Sequence, residues 1–341
     1  MSDPRDTQSI PRPEWAGAYD GVRILVLGAS GFIGRWVARL LSQAGADLLL
    51  GIRDDHHATE IFQQFDVNGR LVQLDLNDMG ATADRIGKLQ PTMTFNLAGY
   101  GVSPTERDET IADRINHRLL ATLCECIAEA RDPNWPGQHL VHVGSALEYG
   151  TISGDLSEDS TPNPTTIYGR SKLDGTRVVT RCSRSLGIRG VTARLFTIYG
   201  PGEKDPGRLL PSLLRIAECD ESLSLTAGTQ TRDFTYVQDV AEGLLRLGTA
   251  SIRPGNEVVN LATGNLHTVR TFAESAAAIA RISDSRLQFG TTPVRPEEMS
   301  HDNVAVALLD RLLDWRPRTT IPEGIRLTME FLQSHRLATK R

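Results

Sequence analysis

The 341-residue chain has few features that would tie it to a membrane, a metal or an oxidising compartment. No apolar run approaches the ~18–20 residues that span a bilayer, and the N-terminal stretch mixes Pro, Arg and Asp without the apolar core of a secretion signal. The four cysteines and the histidines do not stand at metal-ligand spacing. We therefore expect a cytoplasmic protein with reduced thiols, no metal site and no membrane partner.

The chain also lacks a strong excess of either charge. Its formal net charge is -5, with 40% hydrophobic and 23% charged residues, which is ordinary for a globular protein. This balance gives no reason to expect nucleic acid as a partner. The length allows a large core in one or two domains.

Through its first two-thirds, the sequence alternates short apolar runs with amphipathic stretches. The first run, at 22–27, is apolar apart from Arg23, which is typical of a strand buried on both faces. Further strands are predicted at 48–50, 71–74, 94–97, 140–143 and 191–196. Predicted helices include 31–43, about 109–129, and one that carries Tyr168 and ends near 186. This alternation predicts an α/β fold, a Rossmann-type doubly wound parallel sheet.

A glycine-rich turn, residues 28–34, follows the first predicted strand. Gly28 permits the tight turn, Gly31 lets the backbone approach a pyrophosphate, and Gly34 lets the next helix pack close to the sheet. Glycines also serve plain helix–sheet packing, but in the first βα unit they predict a dinucleotide on the helix N-terminus. The turn residues predicted to bind the cofactor are Gly28, Ser30, Gly31, Phe32, Ile33 and Gly34.

The end of the second predicted strand discriminates between the two nicotinamide dinucleotides. An acidic residue there would bind the adenosine ribose, whereas an arginine would pair with a 2′-phosphate. Arg53 ends this strand, so NADP(H) is favoured over NAD(H), although Asp54 in the same position would favour NAD(H). Asp75 and Leu76 follow the third strand and are predicted to meet the adenine, while Asp75 would equally serve as a helix N-cap.

Tyr168 and Lys172, four residues apart, predict the chemistry. On one helix face the ammonium would lower the pKa of the phenol from about 10 toward neutrality, so that Tyr168 exchanges a proton with a substrate oxygen. Lys172 would also hold the nicotinamide ribose. Ser145, at the carboxyl end of a predicted strand, would hydrogen-bond the same oxygen. Such a pair alone is usually a surface pair, but with the glycine turn it predicts a redox enzyme acting at a carbinol or carbonyl carbon.

Beyond Gly200 the alternation loosens around several prolines. Helices are predicted at about 209–218, 240–247, 271–280, 304–313 and 322–333, with a short strand at 223–225. We expect three parts: an N-terminal extension (1–20) that is loose, an NAD(P)-binding domain (21–200), and a smaller α/β substrate lobe (201–341). A segment near 232–263 is expected to return to the main domain, with 258–261 joining its sheet.

These motifs, in this order, resemble the extended branch of the short-chain dehydrogenase/reductase superfamily, the nucleotide-sugar epimerases, dehydratases and reductases. The resemblance covers about residues 23–324 and also includes 96–99, Asn116, 144–150, Arg194, 199–202 and 232–237. It implies that Leu97, Ala98 and Gly99 contact the cofactor. It further implies that a nucleotide-diphosphate sugar is bound by Ser145, Ala146, Thr197, Arg232 and Arg295, although each arginine would equally be a surface residue.

Departures from the family pattern reduce the number of reactions that we expect this chain to catalyse. The 4,6-dehydratases carry an Asp-Glu pair directly after the Ser or Thr, and here Ala146 and Leu147 stand there, which cannot transfer protons. Glu148 comes one residue late, so dehydration is disfavoured. Thr197 stands where the group often has an Asn.

Two enzyme classes remain, because a reductase and an epimerase need the same trio. Arg53 favours a consumable NADPH, and stretches 144–150 and 223–240 resemble reductases of GDP-, CDP- and dTDP-linked keto sugars. The sequence therefore favours NADPH-dependent reduction of the C4 keto group of a nucleotide-linked 4-keto-6-deoxyhexose. The alternatives are an NAD-dependent 4-epimerase similar to UDP-glucose 4-epimerase, and a non-catalytic NADP-sensing protein.

The oligomeric state is suggested by the same resemblance. Helices around 113–129 and 173–186 resemble those that pair across a four-helix dimer interface in this group, so we expect a homodimer. Leu123, Cys124 and Ile127 would equally form the core face of a single helix.

Overall fold

A computed structural model describes residues 13–102, 105–150, 155–255, 257–294 and 301–339. The strands are β1 Arg23–Leu27, β2 Asp47–Ile52, β3 Arg70–Gln73, β4 Met93–Asn96, β5 Leu140–Ser145, β6 Asp155–Leu156, β7 Gly190–Leu195, β8 Thr197–Tyr199, β9 Leu223–Leu225, β10 Thr231–Tyr236, β11 Val258–Leu261, β12 Leu266–Thr268, β13 Leu287–Phe289 and β14 Asn303–Val304. The α-helices are α1 Gly34–Gln43, α2 Asp55–Gln64, α3 Met79–Leu89, α4 Glu109–Asp113, α5 Leu119–Ala130, α6 Ile167–Ser185, α7 Leu209–Ala217, α8 Val237–Thr249, α9 Val269–Ala280, α10 Ala307–Leu313 and α11 Ile321–Thr339. A π-helical turn, Arg114–Arg118, joins α4 to α5.

Seven parallel strands form the central sheet, in the order β11-β7-β5-β4-β1-β2-β3. Successive residues of β1 alternate between its faces: Ile24 and Val26 pack in a cluster with α1 and α8, whereas Leu25 and Leu27 pack in one with α5 and α6. Helices therefore cover both faces, and the predicted doubly wound α/β fold is confirmed. The strand order reverses between β1 and β4, which is where such sheets bind ligands beyond their carboxyl ends.

Helices α5 and α6 pack side by side on one face of the sheet. Leu123, Cys124 and Ile127 of α5 are buried there, against Val178 and Cys182 of α6. These α5 residues thus form a core face within the chain. All four cysteines are free thiols.

The expected loose N-terminal extension is wrong from Glu14 onward. Glu14–Tyr19 forms a 3-10 helix, and Tyr19 is fully buried against Phe95 and Trp135. Its hydroxyl donates a hydrogen bond to the carbonyl oxygen of Leu245, at 2.5 Å. Burial of this aromatic ring anchors the extension to the core.

The C-terminal third forms a second core and also returns to the first. Strands β8, β10 and β12 make a separate sheet, and Phe234 stacks on Phe272 of α9 with ring centroids 4.3 Å apart. Strand β11 lies at the edge of the central sheet, parallel to β7. Helix α11 returns as well, because its Phe331 packs on Trp36 of α1, at 5.6 Å.

The predicted helix at 304–313 is wrong in its first turn. Asn303 and Val304 instead form β14, parallel to β6, and α10 begins at Ala307. Val304 and Val306 are β-branched, which disfavours a helix, and Val304 is buried by the pairing. Every helix in the described part of the chain is too short or too polar to span a bilayer.

Candidate active site

The glycine turn has the geometry of a phosphate cradle. Gly28 has a φ of 74°, and a Cβ added to it would lie 2.9 Å from the backbone nitrogen of Ala98. A Cβ on Gly34, the first residue of α1, would lie 2.0 Å from the carbonyl oxygen of Gly28. The turn therefore folds closely against its own helix N-terminus, with Ser30, Phe32 and Ile33 between β1 and α1, and this arrangement fits a dinucleotide pyrophosphate.

Arg35, whose role the sequence analysis missed, braces this turn from within. Its side chain is 5% exposed, and it donates hydrogen bonds to the carbonyl oxygens of Gly31 (2.9 Å) and Ser30 (2.8 Å). Burial lowers the pKa of Arg35 to about 10, against an opposing effect of Glu203. The signal available in the sequence was an arginine directly after the last glycine of the turn.

The predicted adenosine contacts follow β2 and β3. Arg53 and Asp54 are both exposed directly after β2. The proposed N-cap role of Asp75 is wrong: Asp78 caps α3 by accepting the backbone N–H of Ala81, while Asp75 accepts that of Asn77 in the preceding turn. Asp75 is exposed and Leu76 is half-buried beside it.

The structure brings Ser145, Tyr168 and Lys172 together. Ser145 ends β5, and the other two lie in the first two turns of α6, which Thr166 caps through a hydrogen bond from the Gly169 backbone N–H. The Lys172 ammonium lies 6.0 Å from the centroid of the Tyr168 ring. A hydrogen bond links the side chains of Tyr168 and Ser145.

The expected lowering of the Tyr168 pKa by Lys172 is wrong for this chain. Burial raises the pKa of Tyr168 well above its usual value, and the charge of Glu148 raises it further, while Arg208 and the Ser145 hydrogen bond oppose the rise. Lys172 donates instead to the carbonyl oxygen of Val143, at 2.9 Å. Burial also lowers the pKa of Lys172 to about 8, with Glu148 opposing. The phenol is therefore protonated at neutral pH.

Asn116 holds the loop after β4 beside Lys172. Its amide nitrogen donates to the carbonyl oxygen of Tyr100 (2.7 Å) and to the Ser171 hydroxyl (2.9 Å), and its amide oxygen accepts the Tyr100 backbone N–H (3.0 Å). Asn116 lies in the π-helical turn, a feature frequent at functional sites. This loop carries Leu97, Ala98 and Gly99, and a Cβ on Gly99 would lie 3.3 Å from the Lys172 nitrogen.

Glu148 is a fully buried carboxylate directly behind Ser145. Its Oε1 accepts the Ser145 backbone N–H (2.8 Å), and its Oε2 accepts hydrogen bonds from the Thr176 hydroxyl (3.0 Å) and Arg194 Nε (2.9 Å). In the sequence, Glu148 stands out only as an acidic residue one position too late for the Asp-Glu pair of the dehydratases. Its partners at 176 and 194 are remote in the chain, so no local signal announced them.

The predicted substrate contacts lie on several different elements. Ala146 is buried directly after Ser145, and Thr197 is the first residue of β8. Arg232 lies half-buried in β10 and donates to the carbonyl oxygen of Thr231, at 2.9 Å. Arg295 lies outside the described residues. Among the residues that the structure describes, no group of three His, Cys, Asp or Glu side chains could hold a metal ion.

Comparison with known proteins identifies relatives along most of the chain. Residues 24–262 match the NAD dependent epimerase/dehydratase family. The chain is 29% identical over 322 residues to dTDP-6-deoxy-L-talose 4-dehydrogenase (NAD(P)(+)) from Kitasatospora kifunensis, covering 89% of this chain and 93% of that protein. It is 26% identical over 326 residues to GDP-6-deoxy-D-mannose reductase from Pseudomonas aeruginosa, covering 92% and 97%. The solved structure of MoeE5 in complex with UDP-glucuronic acid and NAD superimposes with a TM-score of 0.77 at 26% identity, covering 92% and 99%.

Proposed function

The chain belongs to the NAD dependent epimerase/dehydratase family, and from that membership we propose that it reduces the C4 keto group of a nucleotide-linked 4-keto-6-deoxyhexose with NADPH. The convergence of Ser145, Tyr168 and Lys172 supports a redox reaction at a carbinol or carbonyl carbon. The observation that carries the choice of reduction is Arg53, exposed directly after β2, because it favours a consumable NADPH. The two relatives named as a 4-dehydrogenase and a reductase of 6-deoxy sugars support it.

The reaction follows from the roles of these side chains. When bound, the reduced nicotinamide supplies the hydride that adds to the keto carbon. Tyr168 donates its phenolic proton to the carbonyl oxygen, and the C=O bond becomes an H–C–OH group. The Ser145 hydroxyl donates a hydrogen bond to the same oxygen and polarises it, while the Lys172 ammonium holds the nicotinamide ribose.

We assign the cofactor to the turn and loops at the carboxyl end of the sheet. The glycine turn would hold the pyrophosphate, Arg53 the 2′-phosphate, and Asp75 and Leu76 the adenine. Residues Leu97, Ala98 and Gly99 would line the nicotinamide half. The exposed guanidinium of Arg53 supports NADP(H) over NAD(H), because a guanidinium pairs with a 2′-phosphate.

The substrate assignment excludes a dehydration step. Ala146 and Leu147 follow Ser145 and carry no group that transfers a proton. Glu148 does not replace them, because its carboxylate is fully buried and engaged with Arg194 and Thr176. Arg232 and Arg295 remain the proposed diphosphate contacts, since guanidinium groups bind phosphate oxygens in pairs.

A nucleotide-sugar 4-epimerase is the second candidate. What favours it is the similarity to MoeE5, whose structure was solved with NAD and UDP-glucuronic acid, a sugar nucleotide that carries a hydroxyl and not a keto group at C4. In an epimerase the same trio would oxidise and then re-reduce one carbon of the sugar.

Purified protein incubated with a panel of nucleotide-linked sugars separates these possibilities. Stoichiometric oxidation of NADPH by a 4-keto-6-deoxyhexose nucleotide is the result we expect. Interconversion of two sugar isomers without net NADPH consumption would instead establish the epimerase. Cofactor binding without turnover on the whole panel would contradict both and favour an NADP-sensing role.

A further inference from the structure

Gly144, the residue before Ser145, has no side chain and so leaves room for the buried carboxylate of Glu148. A Cβ added to Gly144 would lie 2.5 Å from Oε1 of Glu148, so a larger residue there would displace the carboxylate. Ser145 and Glu148 form a capping box, in which Ser145 Oγ accepts the Leu147 backbone N–H (3.2 Å) and Glu148 accepts the Ser145 backbone N–H (2.8 Å). The orientation of Ser145 is therefore fixed from both sides.

Arg194 balances the charge of Glu148 on the side away from Ser145. Both side chains are buried, with relative exposures of 3% and 0%, and Arg194 Nε lies 2.9 Å from Glu148 Oε2. The Arg194 guanidinium also lies 4.4 Å from the centroid of the Tyr149 ring. A buried pair of this kind adds little stability compared with an apolar substitute, so stability alone does not account for it.

Glu148 also acts on the two residues that handle the proton. Glu148 Oε1 accepts the Ser145 backbone N–H at 2.8 Å and Lys172 Nζ donates to the Val143 carbonyl oxygen at 2.9 Å, so both groups bind the peptides that flank Gly144. From this position the carboxylate raises the pKa of Tyr168 and opposes the lowering of the Lys172 pKa by burial. The other groups that face Tyr168 are Glu106 in the loop after β4, Arg208 before α7, Ser145 and Lys172. Lys172 also faces His142 of β5, whose pKa is lowered well below its usual value, chiefly by burial and also by Lys172, so that it is neutral.

We propose that Glu148 is a positioning residue of the reaction, whose buried carboxylate orients Ser145 and supplies the negative charge that faces Tyr168 and Lys172. Glu148 touches no substrate atom in this role, which rests on the proposed ketone reduction. Without its charge, Lys172 would lose its proton at lower pH. The reductive reaction needs the ammonium and the phenol. The pH above which this reaction declines would therefore be lower.

A lysine titration by NMR tests the electrostatic part without any substrate. Lys172 is one of four lysines, so ¹³C-labelled lysine gives a simple spectrum in which Lys172→Met identifies its signal. We expect Lys172 to titrate near pH 8 in the wild type, and lower by about one pH unit in Glu148→Gln. Glu148→Asp keeps the negative charge, so Lys172 should titrate close to its wild-type pH in that variant.

Glu158→Gln is the matched control. Glu158 is a half-buried carboxylate that also accepts a backbone N–H, from Asn260 at 2.8 Å, but it is not among the charges that act on Tyr168 or Lys172. Its substitution should leave the Lys172 titration in place. Glu148→Gln leaves the buried Arg194 without its carboxylate and is expected to cost stability. The double variant Glu148→Gln/Arg194→Met removes both charges and therefore provides a second route. The same downward shift is expected there.

Kinetics then test the link to catalysis. In folded Glu148→Gln, the pH above which NADPH-dependent reduction declines should fall together with the Lys172 titration. An unmoved titration in both Glu148→Gln and the double variant would overturn the proposal, as would a shifted titration with an unmoved pH profile of reduction. A shifted titration in a protein that reduces no ketone on the panel would refute the proposed function while supporting the electrostatic role of Glu148.

Discussion

Tyr168 is the residue whose chemistry is most directly exposed to test. Its hydroxyl is hydrogen-bonded to Ser145, and burial raises its pKa, so the phenol carries a proton at neutral pH, as the proposed reduction requires. Tyr168→Phe removes that proton while leaving the ring that packs on Gly101. We expect the rate of ketone reduction to fall on the order of 10²–10⁴-fold. The affinity for NADPH, measured by fluorescence titration, should stay unchanged, and near wild-type turnover would refute the assignment.

Arg53 decides the choice of cofactor if its guanidinium meets the 2′-phosphate. Arg53→Ala should then weaken NADPH binding by about 1.5–3 kcal/mol, or roughly 10–100-fold, because a charge-assisted hydrogen bond is lost. NADH lacks the phosphate, so its dissociation constant should hardly change. Equal weakening for both cofactors would show that Arg53 acts on a part that they share, and no weakening would favour Asp54 as the residue at this position.

At the scale of single residues, the sequence indicates which side chains come together better than it indicates their surroundings. Ser145, Tyr168 and Lys172 were identified because each has a fixed spacing or stands at a strand end. The predicted lowering of the Tyr168 pKa was wrong. The shift depends on burial and on the charge of Glu148, and the spacing of Tyr168 and Lys172 reveals neither. Arg35 and Glu148 escaped assignment because an isolated charge in a sequence does not disclose that it is buried.

The β1–α1 unit is the element to which we assign the cofactor pyrophosphate. A Cβ on Gly34 would lie 2.0 Å from the Gly28 carbonyl oxygen, so Gly34→Ala must push α1 away from the turn. We expect a loss of about 1–3 kcal/mol in stability and weaker NADPH binding, measured by thermal denaturation and fluorescence titration. Gly87→Ala in α3 is the control, because a Cβ there meets nothing within 4 Å. Comparable losses in both variants would contradict the close approach.

Elements were predictable where one period dominates the sequence. The inner strands of the central sheet are largely buried on both faces, so a strand such as β1 appears as an apolar run after its first residue. The pattern failed where pairing partners are distant. Val304 forms β14 with β6, about 150 residues earlier in the chain, and the burial of Tyr19 depends on α8 and β4, which no local pattern connects to it.

At the scale of the whole molecule, we propose that the chain forms a homodimer through the outward faces of α5 and α6. The inward faces are already used, since Leu123 and Val178 are buried in the chain's own core. The outward faces differ in charge: Glu125 and Glu129 are exposed on α5, whereas α6 exposes Arg170, Arg177 and Arg181. In an isologous interface, α5 of one copy would meet α6 of the other, and these charges would attract.

Sedimentation equilibrium checks this assembly directly. We expect a mass of twice 37.4 kDa, and a dimer that weakens as the salt concentration rises, because exposed charges are screened. Glu125→Lys with Glu129→Lys places like charges opposite each other and should shift the equilibrium toward monomer. Glu60→Lys, an exposed site on α2, reverses one charge away from these helices and should leave the mass unaltered. A wild-type mass of one chain at micromolar concentration would refute the proposed interface, because the outward faces of α5 and α6 would then be exposed to solvent.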